Sequence, residues 1–263
     1  MTSSISSLQN PQVQAARKLR RRTARDRTGN FLIEGPLAIS EALAAGDIVT
    51  DVYASPDPAH EQLLERTRAQ SGIRVHEVTE PVVKALSETQ TPRGIVAVGR
   101  MNNCSVADLA TKADLILVLA EVRDPGNAGT LVRSAVAAGA TGVVFTENGV
   151  DPFGSKTVRA SAGTLFRTKV ARSAPLRETL ETLRSSGLRT IGADASASLG
   201  ATEADLTRPL ALVLGNESSG VPSEMQDLLD ESIAIHMPGP VESLNVGIAG
   251  SILLFECVRQ RGR

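Results

Sequence analysis

Two segments, Asp114–Ala120 (DLILVLA) and Leu210–Gly215 (LALVLG), are almost uninterrupted apolar runs. A strand with one face in water alternates apolar and polar residues. A strand that is apolar throughout is buried on both faces, which is the habit of parallel sheets covered by helices. The surrounding pattern agrees. After the first run come a helix over Asn127–Gly139, a strand over Gly142–Thr146, a helix beginning at Lys156–Ser161 and a short strand at Thr168–Ala171. There follow a helix over Leu176–Ser185, a strand at Thr190–Ala193, the second apolar run, a helix at Ser223–Leu229, a strand at Ser232–Met237 and a closing amphipathic helix over Asn245–Arg261. Alternation of this kind specifies the α/β class with a parallel sheet.

The first hundred residues form a second, smaller alternating set. A basic helix is expected over Pro11–Thr28, with Asn10 as its cap and Pro11 in its first position. Strands follow at Asn30–Glu34, Ile48–Ala54, Ile73–Val78 and Gly94–Gly99, with helices at Leu37–Ala45, Ala59–Gln70 and Pro81–Leu86. Gly46 and Gly72 stand where helix ends favour glycine. The reading is an N-terminal α/β domain over 1–100, a linker over 101–112 and a C-terminal α/β domain over 113–263. A chain of 263 residues is long enough for two such cores.

Composition removes several function classes. Two cysteines, Cys104 and Cys257, provide neither a disulfide framework nor a cysteine zinc site. The three histidines, His60, His76 and His236, are scattered, so no metal is expected. The longest uncharged apolar stretches, Ser134–Thr146 and Ser243–Phe255, have 13 residues each, too few to cross a bilayer. No secretory leader is visible in MTSSISSLQNPQVQ, so a cytoplasmic location without membrane attachment is expected. With five Phe, one Tyr and no Trp, aromatic stacking is not expected to be the main device for holding single-stranded nucleic acid.

The net charge of −1 conceals an asymmetry. Residues 1–30 carry seven cations, Arg17, Lys18, Arg20, Arg21, Arg22, Arg25 and Arg27, against one acid, Asp26, a local net charge of +6. Such a cluster is either a solvated helix face or an electrostatic footprint for phosphates.

Three loops carry residues suited to chemistry, each where an expected strand ends, the edge at which open α/β sheets bind ligands. The first, EVRDPGNAGTLVRS, holds Asn127, Gly129 and Arg133 and matches neither the dinucleotide fingerprint nor the P-loop. By itself Asn127 reads as a helix cap and Arg133 as a surface ion-pair partner. The second, Gly215-Asn216-Glu217-Ser218-Ser219-Gly220, combines backbone-exposing small residues with a carboxylate. The third, Met237-Pro238-Gly239-Pro240 through Glu242-Ser243-Leu244-Asn245-Val246, leads into a helix containing Gly247 and Gly250. Each glycine costs about 1 kcal/mol in a helix interior relative to Ala, which points to tight packing or a site.

In this order, the three loops resemble the motifs of the SPOUT superfamily, specifically the TrmH (SpoU) family of RNA ribose 2′-O-methyltransferases. The matching residues are Asn127, Gly129 and Arg133; Gly215-Asn216-Glu217 with Gly220 and Pro222; and Met237-Pro238 with Glu242 through Val246. Asn10-Pro11, the basic helix, Phe31–Gly35 (FLIEG) and Thr91–Val98 (TPRGIVAV) are similar to the substrate-binding domain joined to many ribosomal RNA members. Arg93 stands where such domains often have Gln.

The resemblance implies a parallel-sheet SPOUT domain with a deep trefoil knot, bent S-adenosylmethionine held by the knot loops, and a homodimer with its site near the subunit interface. It assigns cofactor contacts to Ala193, Gly215, Asn216, Ile235, Met237, Leu244 and Asn245. It assigns catalysis to Asn127, Arg133, Glu217, Ser243 and Asn245, and RNA contacts to the cations from Arg17 to Arg27. Asn127 would orient Arg133 or the ribose, and Glu217 would hold the arginine or a substrate group. Arg133 stays protonated and is a poor base. It would clamp a phosphate or stabilise the developing alkoxide, although family proposals also give it a part in activating the hydroxyl. The implied substrate is RNA, with ribosomal RNA, particularly that of the large subunit, favoured over transfer RNA. The rival readings are a non-catalytic RNA-binding protein on the same scaffold and, from fold alone, a nucleotide-dependent oxidoreductase. The missing glycine fingerprint weighs against the latter.

Overall fold

The computed structural model describes residues 4–262. Met1–Ser3, where the leader reading and the N-terminal domain begin, and Arg263, where the C-terminal domain ends, lie outside the described residues. The chain divides into two compact units.

The first unit takes the chain up to Asn102 together with Phe153–Phe166. The expected basic helix is broken into α1 (Pro11–Lys18) and α2 (Arg22–Thr28). Its break is stabilised by Arg25, whose buried guanidinium donates to the carbonyls of Leu19 and Arg20 at 2.8 and 3.0 Å, partnering helix-end groups that would otherwise be orphaned. Asn10 caps α1 as expected, accepting from the Gln12 and Val13 amides. There follow β1 (Asn30–Glu34), α3 (Pro36–Ala44), β2 (Val49–Ala54), α4 (Glu61–Arg68), β3 (Arg74–Glu77), α5 (Glu80–Leu86) and β4 (Ile95–Arg100). The sheet order is β1-β4-β2-β3, with only β2 and β3 parallel. Val13, Ala16 and Leu19 pack with Leu32, Tyr53, Val96 and Val98 of the sheet and with Val82, Val83 and Leu86 of α5. Glu34, the acid of FLIEG, is a buried anchor. It accepts from the Ser87 hydroxyl and the Glu88 amide and pairs with Arg159 at 3.1 Å, tying in a helix at Ser155–Ala160. Those contacts account for a distant segment, 153–166, belonging to this unit, which periodicity gave no reason to expect.

The second unit holds Asn103–Pro152 and Arg167–Arg263. It begins with α6 (Val106–Ala110), inside the stretch expected as a linker; Leu109 is wholly buried in its core. Next come β5 (Leu115–Leu119), α7 (Pro125–Ala137), β6 (Gly142–Thr146), β7 (Lys169–Ala174), α9 (Leu176–Ser185) and β8 (Arg189–Ala193), with α8 being the Ser155–Ala160 helix of the first unit. A two-residue strand β9 (Leu199–Gly200), which has no sequence signal, precedes β10 (Leu210–Leu214), β11 (Glu231–Ala234) and α10 (Val246–Gln260). All seven strands are parallel, in the order β7-β6-β5-β10-β8-β11-β9. The two apolar runs are the adjacent strands β5 and β10, every residue of each buried. From β5 the chain leaves towards β6, and it returns to β10 only after crossing to β8, so the loops after β5 and β10 diverge at a topological switch point.

Helices α7 and α10 pack with their N-termini together. A Cβ on Gly250 would lie 2.4 Å from Leu131 of α7 and 2.3 Å from Leu214 of β10, so the interior glycine permits that approach. One turn on, the hydroxyls of Ser134 and Ser251 bond at 2.7 Å. Among the described residues no helix is long and apolar enough to cross a membrane, and no cluster of His, Cys, Asp and Glu suits a metal.

Candidate active site

The first loop is built around an Asp-Pro start. Asp124, rather than the expected Asn127, caps α7 by accepting from the Asn127 amide at 2.8 Å, and Pro125 takes the first helical position. The capping aspartate frees the Asn127 side chain, one turn in, for other work. Sequence reasoning missed Asp124, although an Asp directly before Pro at a helix start is a recognisable signal.

The second loop is closed on itself and tied to the first. Asn216 and Gly220 exchange backbone hydrogen bonds at 2.9 Å, and the Asn216 side-chain amide donates to the Glu121 carbonyl at 3.0 Å. Glu121 sits just past β5 at a positive φ of 57°, its amide held by the Thr146 hydroxyl at 2.9 Å. Gly215 is required by the loop itself: a Cβ there would lie 1.9 Å from the Gly220 carbonyl carbon and 2.1 Å from the Val221 nitrogen.

Glu217 joins the two loops. Its carboxylate accepts from the Asp124 amide at 3.1 Å, the Arg123 amide at 3.4 Å and the Asn127 side-chain amide at 3.1 Å. Burial raises its pKa, but its own backbone amide together with these donors outweighs it and holds the group below its ordinary value. An ionised acceptor beside the N-terminus of α7 also sits favourably in the helix field. The third loop completes the cluster. Asn245 caps α10 by accepting from the Gly247 and Ile248 amides at 2.9 and 3.3 Å, while its side-chain amide donates to Asn127 Oδ1 at 2.9 Å. The three loops therefore meet in a chain running from Asn245 through Asn127 to Glu217.

Beside this chain opens a pocket of about 890 Å³ at the carboxyl ends of β8, β10 and β11. Of the residues assigned to the cofactor by resemblance, Ala193, Gly215, Asn216, Ile235, Met237 and Leu244 line it, as do Glu217 and Ser243. Asn245 does not. Strand β11 ends at Ala234, short of the expected Met237, and the residues it releases, Ile235 and Met237, face the pocket. Small residues such as Gly215 and Gly220 present backbone to the space, and Leu214, Ile235, Leu244, Val246 and Leu253 provide apolar walls. Exposed backbone groups and apolar walls suit a nucleoside ligand in a chain with few aromatics.

Arg133 stands apart. It is exposed on α7, outside the asparagine–glutamate chain, and has no hydrogen-bond or ion-pair partner among the described residues. Glu217, committed to Asn127 and two backbone amides, does not hold it.

In the first unit, Arg17, Lys18, Arg20 and Arg21 line a groove of about 710 Å³ with Glu88, which lies 3.8 Å from Arg20. Arg22 pairs with Asp26 at 4.0 Å, and Arg27 is exposed. Arg25 departs from the expectation of a phosphate contact. Only 6% exposed, it is spent on the turn between α1 and α2.

Comparison with known proteins bears on both units. Residues 114–255 match the SpoU rRNA Methylase family, and residues 10–97 match the MRM3-like substrate binding domain. The chain is 33% identical over 251 residues to the 23S rRNA (guanosine(2553)-2'-O)-methyltransferase RlmP of Bacillus subtilis, covering 95% of this chain and 97% of that protein. An AdoMet-bound rRNA methyltransferase from Sinorhizobium meliloti superposes with a TM-score of 0.86 at 31% identity, over 98% of this chain and 97% of that one. The SpoU methyltransferase AviRb from Streptomyces viridochromogenes, solved with AdoMet, gives 0.85 at 28% identity, over 96% and 98%. The match spans the sheet, all three loops and the attached N-terminal unit, so this chain is a member of the SpoU rRNA methylase family, an RNA methyltransferase that uses S-adenosylmethionine.

Proposed function

We propose that this enzyme methylates a ribose 2′-hydroxyl of ribosomal RNA, that of the large subunit favoured, with S-adenosylmethionine held in the pocket beside β8, β10 and β11. The observation that carries this reading is the meeting of the three loops: Asn245, Asn127 and Glu217 form one hydrogen-bonded chain at the rim of a pocket walled by small and apolar residues. A non-catalytic relative would have no need to retain all of these side chains in register.

When bound, S-adenosylmethionine provides an electrophilic methyl group on a sulfonium. The protein's share is largely positioning, which can supply several kcal/mol of a barrier. Gly215 and Leu244 bound the space for the cofactor, Ser243 of the lining is the residue that meets ribose or cofactor hydroxyls, and Asn245, outside the lining, acts by holding Asn127. Asn127, its amide fixed by Glu217 and its carbonyl by Asn245, holds the ends of α7 and α10 in one arrangement. Glu217, kept ionised by its donors, is a lock between loops. Arg133, protonated and exposed, contributes a planar pair of donors to the phosphate beside the target ribose or to the alkoxide as it develops.

The same reading includes a homodimer. Ile248, Ile252 and Phe255 recur at helical spacing on α10 and are 54%, 43% and 50% exposed, an apolar stripe suited to a second copy. Arg133, on the neighbouring helix, would then act near that seam. It includes also the deep trefoil knot, with the C-terminal helix threaded through a loop, and the basic groove of the first unit as the path for RNA phosphates.

The direct test incubates the purified protein with ribosomal RNA and S-adenosylmethionine and counts 2′-O-methylnucleosides by mass spectrometry. One new 2′-O-methyl group in ribosomal RNA is expected. A methyl group on a base, or modification of transfer RNA alone, would refute the assignment.

A further inference from the structure

The pocket is charged with one sign. Its lining contains four carboxylates, Glu121, Asp194, Glu217 and Glu224, and no Lys, Arg or His. Glu121 is paired with a cation, Arg123, at 3.7 Å, and Glu217 is committed to the loop junction by three N–H donors. The carboxylate of Asp194, just beyond β8, is engaged only within its own turn. The backbone amide and hydroxyl of Ser196 donate to its Oδ1 at 2.8 and 2.7 Å, which fixes the carboxylate, and no cation pairs with it among the described residues. The Glu224 carboxylate accepts from the neighbouring Ser223 hydroxyl at 3.4 Å, while Arg177 donates to the Glu224 backbone carbonyl at 3.2 Å.

We propose that this unbalanced charge makes the pocket discriminate by ligand charge, holding the sulfonium cofactor in preference to the neutral thioether product, with Asp194 as the main specificity determinant. The proposal rests on the placement of the cofactor in this pocket. S-adenosylmethionine carries a sulfonium, an ammonium and a carboxylate, a net charge of +1. S-adenosylhomocysteine lacks the sulfonium charge and is neutral overall. Adenine, ribose and amino-acid moiety are shared, so contacts with those parts cannot separate the two. Fixed carboxylates in a partly desolvated pocket can, because their field acts on the charge that differs. Loss of the methyl group removes that charge, so the interaction that retains the substrate form is absent for the product, and release is eased. Asp194 is suited to this role because Ser196 holds it without neutralising it.

Calorimetry tests this with three probes: S-adenosylmethionine, S-adenosylhomocysteine and sinefungin, which has an ammonium-bearing carbon in place of the sulfonium and the same net charge. Each is titrated into the wild-type protein and into Asp194→Asn, with Glu224→Gln as a second variant whose surface position spares the fold. For Asp194→Asn, S-adenosylmethionine and sinefungin are expected to weaken about fivefold while S-adenosylhomocysteine changes less than twofold, a gap that narrows with added salt. Glu224→Gln should shift the same two ligands in the same direction. Equal loss of all three would mean that Asp194 touches a shared moiety, and no change in any would mean that its charge is not felt; either overturns the proposal. A separate variant, Ile235→Trp, narrows the pocket. If it folds and leaves all three affinities intact, the cofactor lies elsewhere and the functional placement itself fails.

Discussion

Asn127 and Asn245, 118 positions apart, are joined by a hydrogen bond of 2.9 Å that pins the N-terminus of α10 to the first turn of α7. Each asparagine serves twice. Asn245 caps its own helix while donating to Asn127, and Asn127 accepts that bond while donating to Glu217. One polar chain thereby fixes three loops that the sequence keeps far apart.

Asn245→Ala removes both the cap and the link. A lost asparagine cap costs about 1 kcal/mol, and the orphaned Asn127 carbonyl adds to it. Urea denaturation should show a loss of about 1–2 kcal/mol, whereas Asn245→Asp, which keeps the acceptor for the cap, should recover part of it. Equal stability of wild type and Asn245→Ala would show that the link is incidental.

Much of this was legible in the residues, and the exceptions are physical. Buried parallel strands announce themselves because both faces demand apolar side chains, as in Leu115–Leu119 and Leu210–Leu214. The cut in the basic helix was hidden because its cause is a side chain, Arg25, folding back on Leu19 and Arg20. The attachment of 153–166 to the first unit was equally hidden, since it depends on Arg159 meeting Glu34 125 positions away. By itself Asn127 reads as a cap because caps and site residues draw on the same residue types. Only the neighbouring Asp124-Pro125 decides between them. Asp194 carries no motif, and its interest arises from a charge balance visible only once the pocket is assembled.

Gly215→Ala should destabilise the protein before any ligand is added. The new Cβ would collide with backbone at Gly220 and Val221, which cannot swing aside as a side chain would. Overpacking of this severity should cost about 3 kcal/mol or more, seen as a lowered melting temperature of the cofactor-free protein. An unchanged melting temperature together with lost cofactor binding would place the demand for glycine on the ligand.

The basic helices separate two kinds of arginine. Neutralising Arg17, Lys18 and Arg21 together should leave stability within about 0.5 kcal/mol and weaken RNA binding, with the log–log salt slope falling by roughly 0.7–0.9 per lost phosphate contact. Arg25→Gln should do the reverse, lowering stability by stripping the turn of its donors while changing the slope little. A salt slope that depends on Arg25 as strongly as on Arg17 would contradict the groove.

Glu217 makes the loop junction sensitive to acid. Its pKa in the folded state lies below its ordinary value, so the ionised form contributes stability that is present above the ordinary carboxylate range. That contribution is lost as the pH falls through the depressed value. Wild type should therefore exceed Glu217→Gln in stability at pH 7, and the gap should close on acidification below about pH 4. A gap that is constant from pH 3 to pH 7 would mean that the carboxylate charge plays no part in the lock.

The homodimer can be checked independently of catalysis. Phe255→Glu places a charge in the exposed stripe of α10, where it costs a monomer little and a buried seam a great deal. Light scattering should find the wild type dimeric and this variant shifted to monomer. A wild type that is monomeric throughout the micromolar range would remove the dimer from the account.

The central claim is methyl transfer to a ribose oxygen assisted by Arg133, and its most direct measurement is single-turnover transfer of a labelled methyl group to ribosomal RNA by Arg133→Ala. Loss of one charged donor at a developing oxyanion costs roughly 10²–10³ in rate. The variant is expected to fold and to bind S-adenosylmethionine with wild-type affinity, yet to transfer the methyl group at least about a hundredfold more slowly, with Arg133→Lys recovering only part of the loss because it lacks the planar two-donor fork. Transfer by Arg133→Ala within a few-fold of the wild-type rate would return Arg133 to an ordinary surface cation and contradict the mechanism.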